Sequence, residues 1–98
     1  MAKYLMLWNL NRALMPVDPK ERGAGWGMLM EVVKDDMAKG VIKDWGVFTS
    51  QGAGYCLMEG TNVEIMKSTE QYDPYVFFEP HPIATYDETL EMVKHLAG

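Results

Sequence analysis

At 98 residues, 48% apolar and 23% charged, the chain has the composition of one soluble globular domain, spanning residues 1–98, with room for a single small core. Its formal charge is −5, and its nine Lys and Arg residues are scattered and never run together with aromatics, which excludes a phosphate-backbone partner. The leading apolar run is too short to cross a bilayer and lacks the basic start and small-residue cleavage site of a secretory leader, so a cytoplasmic chain with neither nucleic-acid nor membrane partners is expected.

The first predicted element is a strand over Lys3–Leu10. Tyr4, Met6, Trp8 and Leu10 project from one face and Leu5, Leu7 and Asn9 from the other, so apolar side chains leave both faces. Asp18-Pro19-Lys20-Glu21 then starts a helix: Asp caps, Pro suits the first helical position, and Glu three residues after the cap completes a capping box. Trp26, Leu29, Met30, Val33 and Met37 recur at helical spacing and predict one apolar stripe on the sheet, ending before Gly40 as a C-terminal cap. Gly23, Gly25 and Gly27 each weaken that helix by roughly 1 kcal/mol relative to Ala, which predicts irregular first turns or a close backbone approach.

Two strands, Val41–Ser50 and Ala53–Glu59, turn around Gln51-Gly52. Thr61 with Glu64 predicts a second capping box, and Ile65, Met66 and Tyr72 give the helix that follows its apolar side. The last strand covers Tyr75–Pro80, with Tyr75 and Phe77 on one side and Val76 and Phe78 on the other. Thr85 with Glu88 opens a C-terminal helix carrying Leu90, Val93 and Leu96. The nine methionines read as flexible core filler, and Cys56, inside a strand pattern and away from any helix start, as a buried structural thiol.

This β-α-β-β-α-β order is the split βαβ signature of a ferredoxin-like α+β fold, with one antiparallel sheet of order 4-1-3-2 and an added C-terminal helix. Helices cover one face of such a sheet, whereas the first and fourth strands are apolar on both. A homodimer formed by sheet faces packing together is therefore expected.

Tyr72-Asp73-Pro74-Tyr75-Val76-Phe77-Phe78-Glu79-Pro80-His81-Pro82 resembles the end of the second helix and the last strand of muconolactone-isomerase-like proteins. Gly40-Val41-Ile42-Lys43-Asp44-Trp45-Gly46 and Gly54-Tyr55-Cys56-Leu57-Met58-Glu59 are similar to the central hairpin of several short bacterial families of unassigned activity. These belong to the dimeric α+β barrel superfamily, which also includes antibiotic-biosynthesis monooxygenases. The resemblance covers nearly the whole chain by pattern and implies a dimeric α+β barrel. Haem-degrading members ligate iron through a histidine on a helix, whereas the histidines here are His81, beyond the predicted last strand, and His95, on the added helix. Haem chemistry is not implied, and no acid/base residue carries over.

In this topology one sheet end gathers Asn9, Asn11 and Arg12 from the exit of the first strand, with Tyr55, Tyr75 and Trp26. Arg12 suits a carboxylate or enolate, while the Asn and Tyr groups suit a carbonyl or hydroxyl above an aromatic floor, so these six are the candidate ligand-binding residues. The opposite end gathers His81 with Glu59, Lys3 and Asp44, and His81 is the candidate catalytic base, set against a surface or dimer-contact role. Gly23-Ala24-Gly25-Trp26-Gly27 has neither dinucleotide-binding nor P-loop spacing, and Cys56, His81 and His95 fall on different elements. No metal and no cofactor are expected. The sequence thus predicts a homodimer holding a small apolar or aromatic, possibly carboxylated, ligand between sheet and helices. The alternative is a cofactor-independent isomerase or monooxygenase acting on an activated aromatic or lactone.

Overall fold

The computed structural model describes residues 2–98. Strand β1 (Ala2–Leu10) passes through a short 3₁₀ turn (Arg12–Leu14) into helix α1 (Pro19–Lys39). A hairpin of β2 (Ile42–Val47) and β3 (Ala53–Gly60) follows, then α2 (Asn62–Glu70), β4 (Val76–Pro82) and α3 (Tyr86–Ala97). The four strands form one antiparallel sheet in the order β2-β3-β1-β4, the expected order read from the other edge. The arrangement is compatible with a ferredoxin-like fold.

Each helix starts where its cap dictates. Asp18 accepts from the Glu21 N–H, and the Thr61/Glu64 and Thr85/Glu88 pairs close reciprocally. The bonds that these two glutamates accept from their threonine caps, backbone first, hold both carboxyls below the ordinary carboxylate range. Gly40 ends α1 with φ 78°, a left-handed conformation that a side chain would strain.

Two strand boundaries differ from the sequence reading. β2 stops at Val47, and the chain then loops through Gln51, whose φ of 67° makes it, rather than Gly52, the left-handed turn residue. β4 runs past Pro80 to Pro82, so His81 lies within the strand, opposite Leu5. The reason is edge geometry. Alternate residues of a strand direct their backbone groups to the same side, and the Ile83 N–H reaches the Lys3 carbonyl at 2.9 Å, so Pro80 and Pro82 spend their missing N–H groups on the free edge.

The core lies between the sheet and the helix pair. Met6 and Trp8, Ile42, Cys56 and Met58, and Val76 supply the sheet side, while Val33, Ile65 and Tyr72 close it from above. Trp8 stacks on Trp45 with centroids 5.5 Å apart and meets the edge of Trp26 at 6.3 Å. Each large apolar side chain buried in this way contributes roughly 1.5–3 kcal/mol.

Helix orientation corrects three residues of the expected stripes, beginning with Met30 of α1, which is 41% exposed. Met37 of α1 and Met66 of α2 point outward, 48% and 68% exposed, and their places facing inward are taken by Asp36 and Ser68, 2% and 3% exposed. The Asp36 carboxylate accepts from Ser68 Oγ at 2.7 Å, from Tyr72 Oη at 3.1 Å and from Gln71 Nε2 at 3.2 Å. Polar groups that bond one another replace the two methionines as the contact between the helices.

The glycines of α1 sit in a regular helix, and a Cβ at Gly23 or Gly27 meets nothing within 4 Å. Gly54 is the opposite case, since a Cβ there collides with the Trp8 ring and the Gly46 carbonyl. Gly23→Ala and Gly27→Ala should therefore each raise stability by about 0.5–1 kcal/mol. Gly54→Ala should lower it by roughly 1–3 kcal/mol. Thermal unfolding followed by circular dichroism checks both signs, since 1 kcal/mol moves Tm by about 4–8 °C in a domain of this size.

Candidate ligand-binding cavity

A cavity of about 320 Å³ opens where β1 ends, between the Asn11–Pro16 segment, the first half of α1 and the Gln71–Tyr75 connection. That is the lower end of the size range for small-molecule sites. Its walls are apolar, with Leu10, Leu14, Met15, Met28, Leu29 and Val32 around one side of Trp26. A second space, about 20 Å³ within the core, holds no more than a water.

Helical spacing builds the α1 wall. Arg22, Trp26 and Leu29 follow one another at i, i+4 and i+7, so the stripe that packs Trp26 against Trp8 also carries a guanidinium to the cavity. Nη1 of Arg22 donates to the carbonyls of Val17 at 2.6 Å and Pro16 at 3.3 Å, which fixes the group and leaves the rest of its fork unbonded. The ion pairs among the described residues are Lys3–Glu59 and His81–Glu79, so Arg22 has no carboxylate partner.

The opposite wall is held by a clasp. Asn11 Nδ2 donates to the Pro74 carbonyl at 3.1 Å, its Oδ1 accepts from Ala13 N–H, and its own N–H donates to the Tyr75 carbonyl at 2.8 Å. Both ends of the amide are occupied, so Asn11 shapes the wall. Gln71 commits Nε2 to Asp36 and to the Ser68 carbonyl, leaving its Oε1 as an acceptor. The half-exposed Tyr75 lines the mouth. The cavity thus offers a fixed cation, an amide oxygen and a phenol in an apolar surround.

Of the six residues predicted to bind ligand, Asn11, Trp26 and Tyr75 line this cavity. The other three lie elsewhere. Arg12 folds over the hairpin, where a Cβ on Gly52 would meet its Nη2 at 2.6 Å. Asn9 and Tyr55 belong to the sheet face away from the helices, where Tyr55 Oη donates to Asp44 Oδ2 at 3.0 Å. That bond, with some burial and the Asp44 charge, raises the Tyr55 pKa. His81, 2.7 Å from Glu79 Oε2, shares this open face and pairs with Leu5, whereas the cavity lies beyond Leu10. Sequence reading missed Arg22 and Gln71. The spacing of Arg22 from Trp26 was a visible signal, whereas Gln71 follows α2, and only the packing of α2 on α1 brings it to the site.

Cys56 is no nucleophile. Burial, assisted by the nearby Asp36 carboxylate, pushes its thiol up to about 12. Burial and the same carboxylate raise the Tyr72 hydroxyl too. No group of three or more metal-ligating side chains occurs among the described residues, and no helix among them is long and apolar enough to cross a membrane. No protein-family model, curated protein or solved structure matches the chain.

The Cys56 shift sets a pH dependence. The unfolded thiol ionises from its ordinary value of 9.0 upward while the folded one stays neutral to about 12, so its contribution is intact below pH 9 and is lost as pH rises through that window. The slope should approach 1.4 kcal/mol per pH unit at most. Urea unfolding at stepped pH should show it for the unaltered chain and a shallower decline for Cys56→Ala. Alkylation by iodoacetamide at pH 8 should run at least ~100-fold slower on the folded chain than on the chain in urea.

Proposed function

We propose that this chain is a homodimeric small-molecule binding protein whose cavity takes an apolar, preferably aromatic, monocarboxylic acid. Arg22 carries the reading. A guanidinium with no acidic partner, anchored by one nitrogen and set into apolar walls, is built to receive a carboxylate while the body of the acid displaces water from Leu, Met and Trp side chains. Gln71 Oε1 and the Tyr75 phenol suit a hydroxyl at the far end of the ligand, and Trp26 offers it an aromatic wall.

The second part of the proposal is the assembly implied by the resemblance to dimeric α+β barrels. β1, β3 and β4 turn Leu5, Leu7, Leu57 and Phe77 away from the helices, with Leu5 opposite Leu57 and Leu7 opposite Tyr55. Lys3–Glu59 and His81–Glu79 border this apolar centre. A dry centre inside a charged rim is the anatomy of an interface, and a twofold axis buries it on both copies at once. Phe78 takes no part, since its ring packs edge-on against Tyr72 in the core at 5.5 Å.

Titration of Trp fluorescence with 4-hydroxyphenylacetate and octanoate, against their methyl esters as uncharged controls, tests the cavity. Arg22→Ala should weaken binding of the acids by about ten- to a hundredfold, the worth of a charge-assisted hydrogen bond, and leave the esters unchanged. Arg12→Ala should alter neither. Equal losses in the two variants, or no binding by any acid, would sink the assignment.

The assembly has its own test. Sedimentation at micromolar concentration should show a dimer for the unaltered chain and a folded monomer for Leu7→Glu, because a charge in the apolar centre remains solvated only when the face is open. A stable monomer of the unaltered chain refutes the sheet-face dimer.

A further inference from the structure

α3 is well formed and has no place in its own chain. Its capping box is closed, and the Thr89 hydroxyl adds a 2.8 Å bond to the Thr85 carbonyl, yet none of its residues is buried. Tyr86, Leu90, Val93 and Ala97 recur at i, i+4, i+7 and i+11 and fall on one side, widened by Met92 and Leu96. Tyr86 and Leu96 are 77% and 75% exposed. A lone helix of this length is marginal in water, so the stripe needs a surface to pack on.

The shape of the chain shows how much surface is in question. It measures 61 × 25 × 18 Å with a radius of gyration of 16.2 Å. A compact chain of this length would have about 12.6 Å. The accessible surface is 6947 Å², against about 5,700 Å² for a compact monomer of this mass. The excess, about 1,300 Å², is more than the ~800 Å² that each partner gives to an interface of standard size.

Charge says what covers it. Acidic Asp87, Glu88 and Glu91 precede basic Lys94 and His95, so the helix is negative in its first half and positive in its last turn. Asp87 and Lys94 are seven residues apart and therefore lie on the same flank of the apolar stripe. Two copies of α3 laid antiparallel about a twofold axis bring Asp87 of each beside Lys94 of the other, and they also oppose the helix dipoles favourably. A parallel pair sets like charge against like.

We infer that α3 is a self-association arm, its Tyr86–Leu90–Val93 stripe packing antiparallel against α3 of a second copy of this chain. This contact uses a different surface from the sheet-face contact proposed above but shares its twofold axis, so both belong to one dimer, which α3 alone is too small to hold, and the tests keep the two apart.

Sedimentation equilibrium of full-length variants, each first shown to keep the native melting curve, reads the result. Leu90→Glu/Val93→Glu should weaken association at least tenfold, and Asp87→Lys alone should weaken it measurably. Asp87→Lys combined with Lys94→Asp should restore it, although both charges then oppose the helix dipole. Unchanged association in Leu90→Glu/Val93→Glu, where Leu7→Glu abolishes it, overturns the arm and leaves the sheet-face dimer standing. Weakening by Leu90→Glu/Val93→Glu without rescue by the charge exchange overturns the antiparallel pairing. Loss through the α3 variants alone, with Leu7→Glu without effect, supports the arm and removes the sheet-face contact.

Discussion

One-sided cover of the sheet is the constraint from which the rest of this molecule follows. α1 and α2 fit side by side over four strands and bury Met6, Trp8, Cys56, Met58 and Val76. Among the described residues no helix does the same for Leu5, Leu7, Leu57 and Phe77 on the reverse, and α3 buries none of its own residues. A strand that is apolar on two faces in a chain with helices for one leaves its second face without a helix, and the assembly proposed above rests on that.

The helix pair, in turn, depends on a polar contact. Asp36 is a carboxylate in the core with no cation beside it, tolerable because Ser68, Gln71 and Tyr72 all donate to it. Deleting it would leave those donors facing apolar surroundings, a heavier loss than the bonds themselves. The same cluster positions the candidate site. Gln71 bonds Asp36 with its nitrogen and lines the cavity, so the clasp between the helices also sets one cavity wall. It bears on Cys56 as well, whose thiol feels the charge of Asp36 along with its burial.

What was legible in the sequence follows from this. Element order, the caps at Asp18, Thr61 and Thr85, and the strand order were readable because they rest on local signals: capping chemistry, period-two alternation and turn residues. The inward faces of the helices were not. Hydropathy favours Met37 over Asp36 and Met66 over Ser68, and no local rule says that two polar residues thirty-two apart will satisfy each other. The misplacements of Met37 and Met66 are the same hydrogen bond seen from its two ends. The ligand residues divide in the same way. Trp26 and Tyr75 were legible from the sheet end they occupy, whereas Arg12 and Arg22 compete for one role and are separated by the direction each side chain takes: Arg12 toward Gly52, Arg22 onto the stripe of Trp26. The three glycines of α1, read as a sign of irregular first turns or of close approach, sit in a regular helix and meet open space instead.

The cavity and the root of α3 lie at opposite ends of the same strands. β1 begins beside Gly60 and Pro82, near the root of α3, and ends at Leu10, which lines the cavity. Leu5 and Leu7 of the open face lie between, and their neighbours Met6 and Trp8 face the core. A paired central strand in a close-packed core is stiff. The Trp8 ring nonetheless touches both worlds: it meets Trp26 of the cavity edge to face, and its Nε1 donates to the carbonyl of Tyr55, whose side chain belongs to the open face. Under the proposed function the Trp8 indole is the direct link between ligand and assembly, because it bonds the backbone behind one surface and packs against the wall of the other. Since both its hydrogen bond and its two ring contacts are satisfied with the cavity open, the proposed function expects occupancy and self-association to be independent of one another.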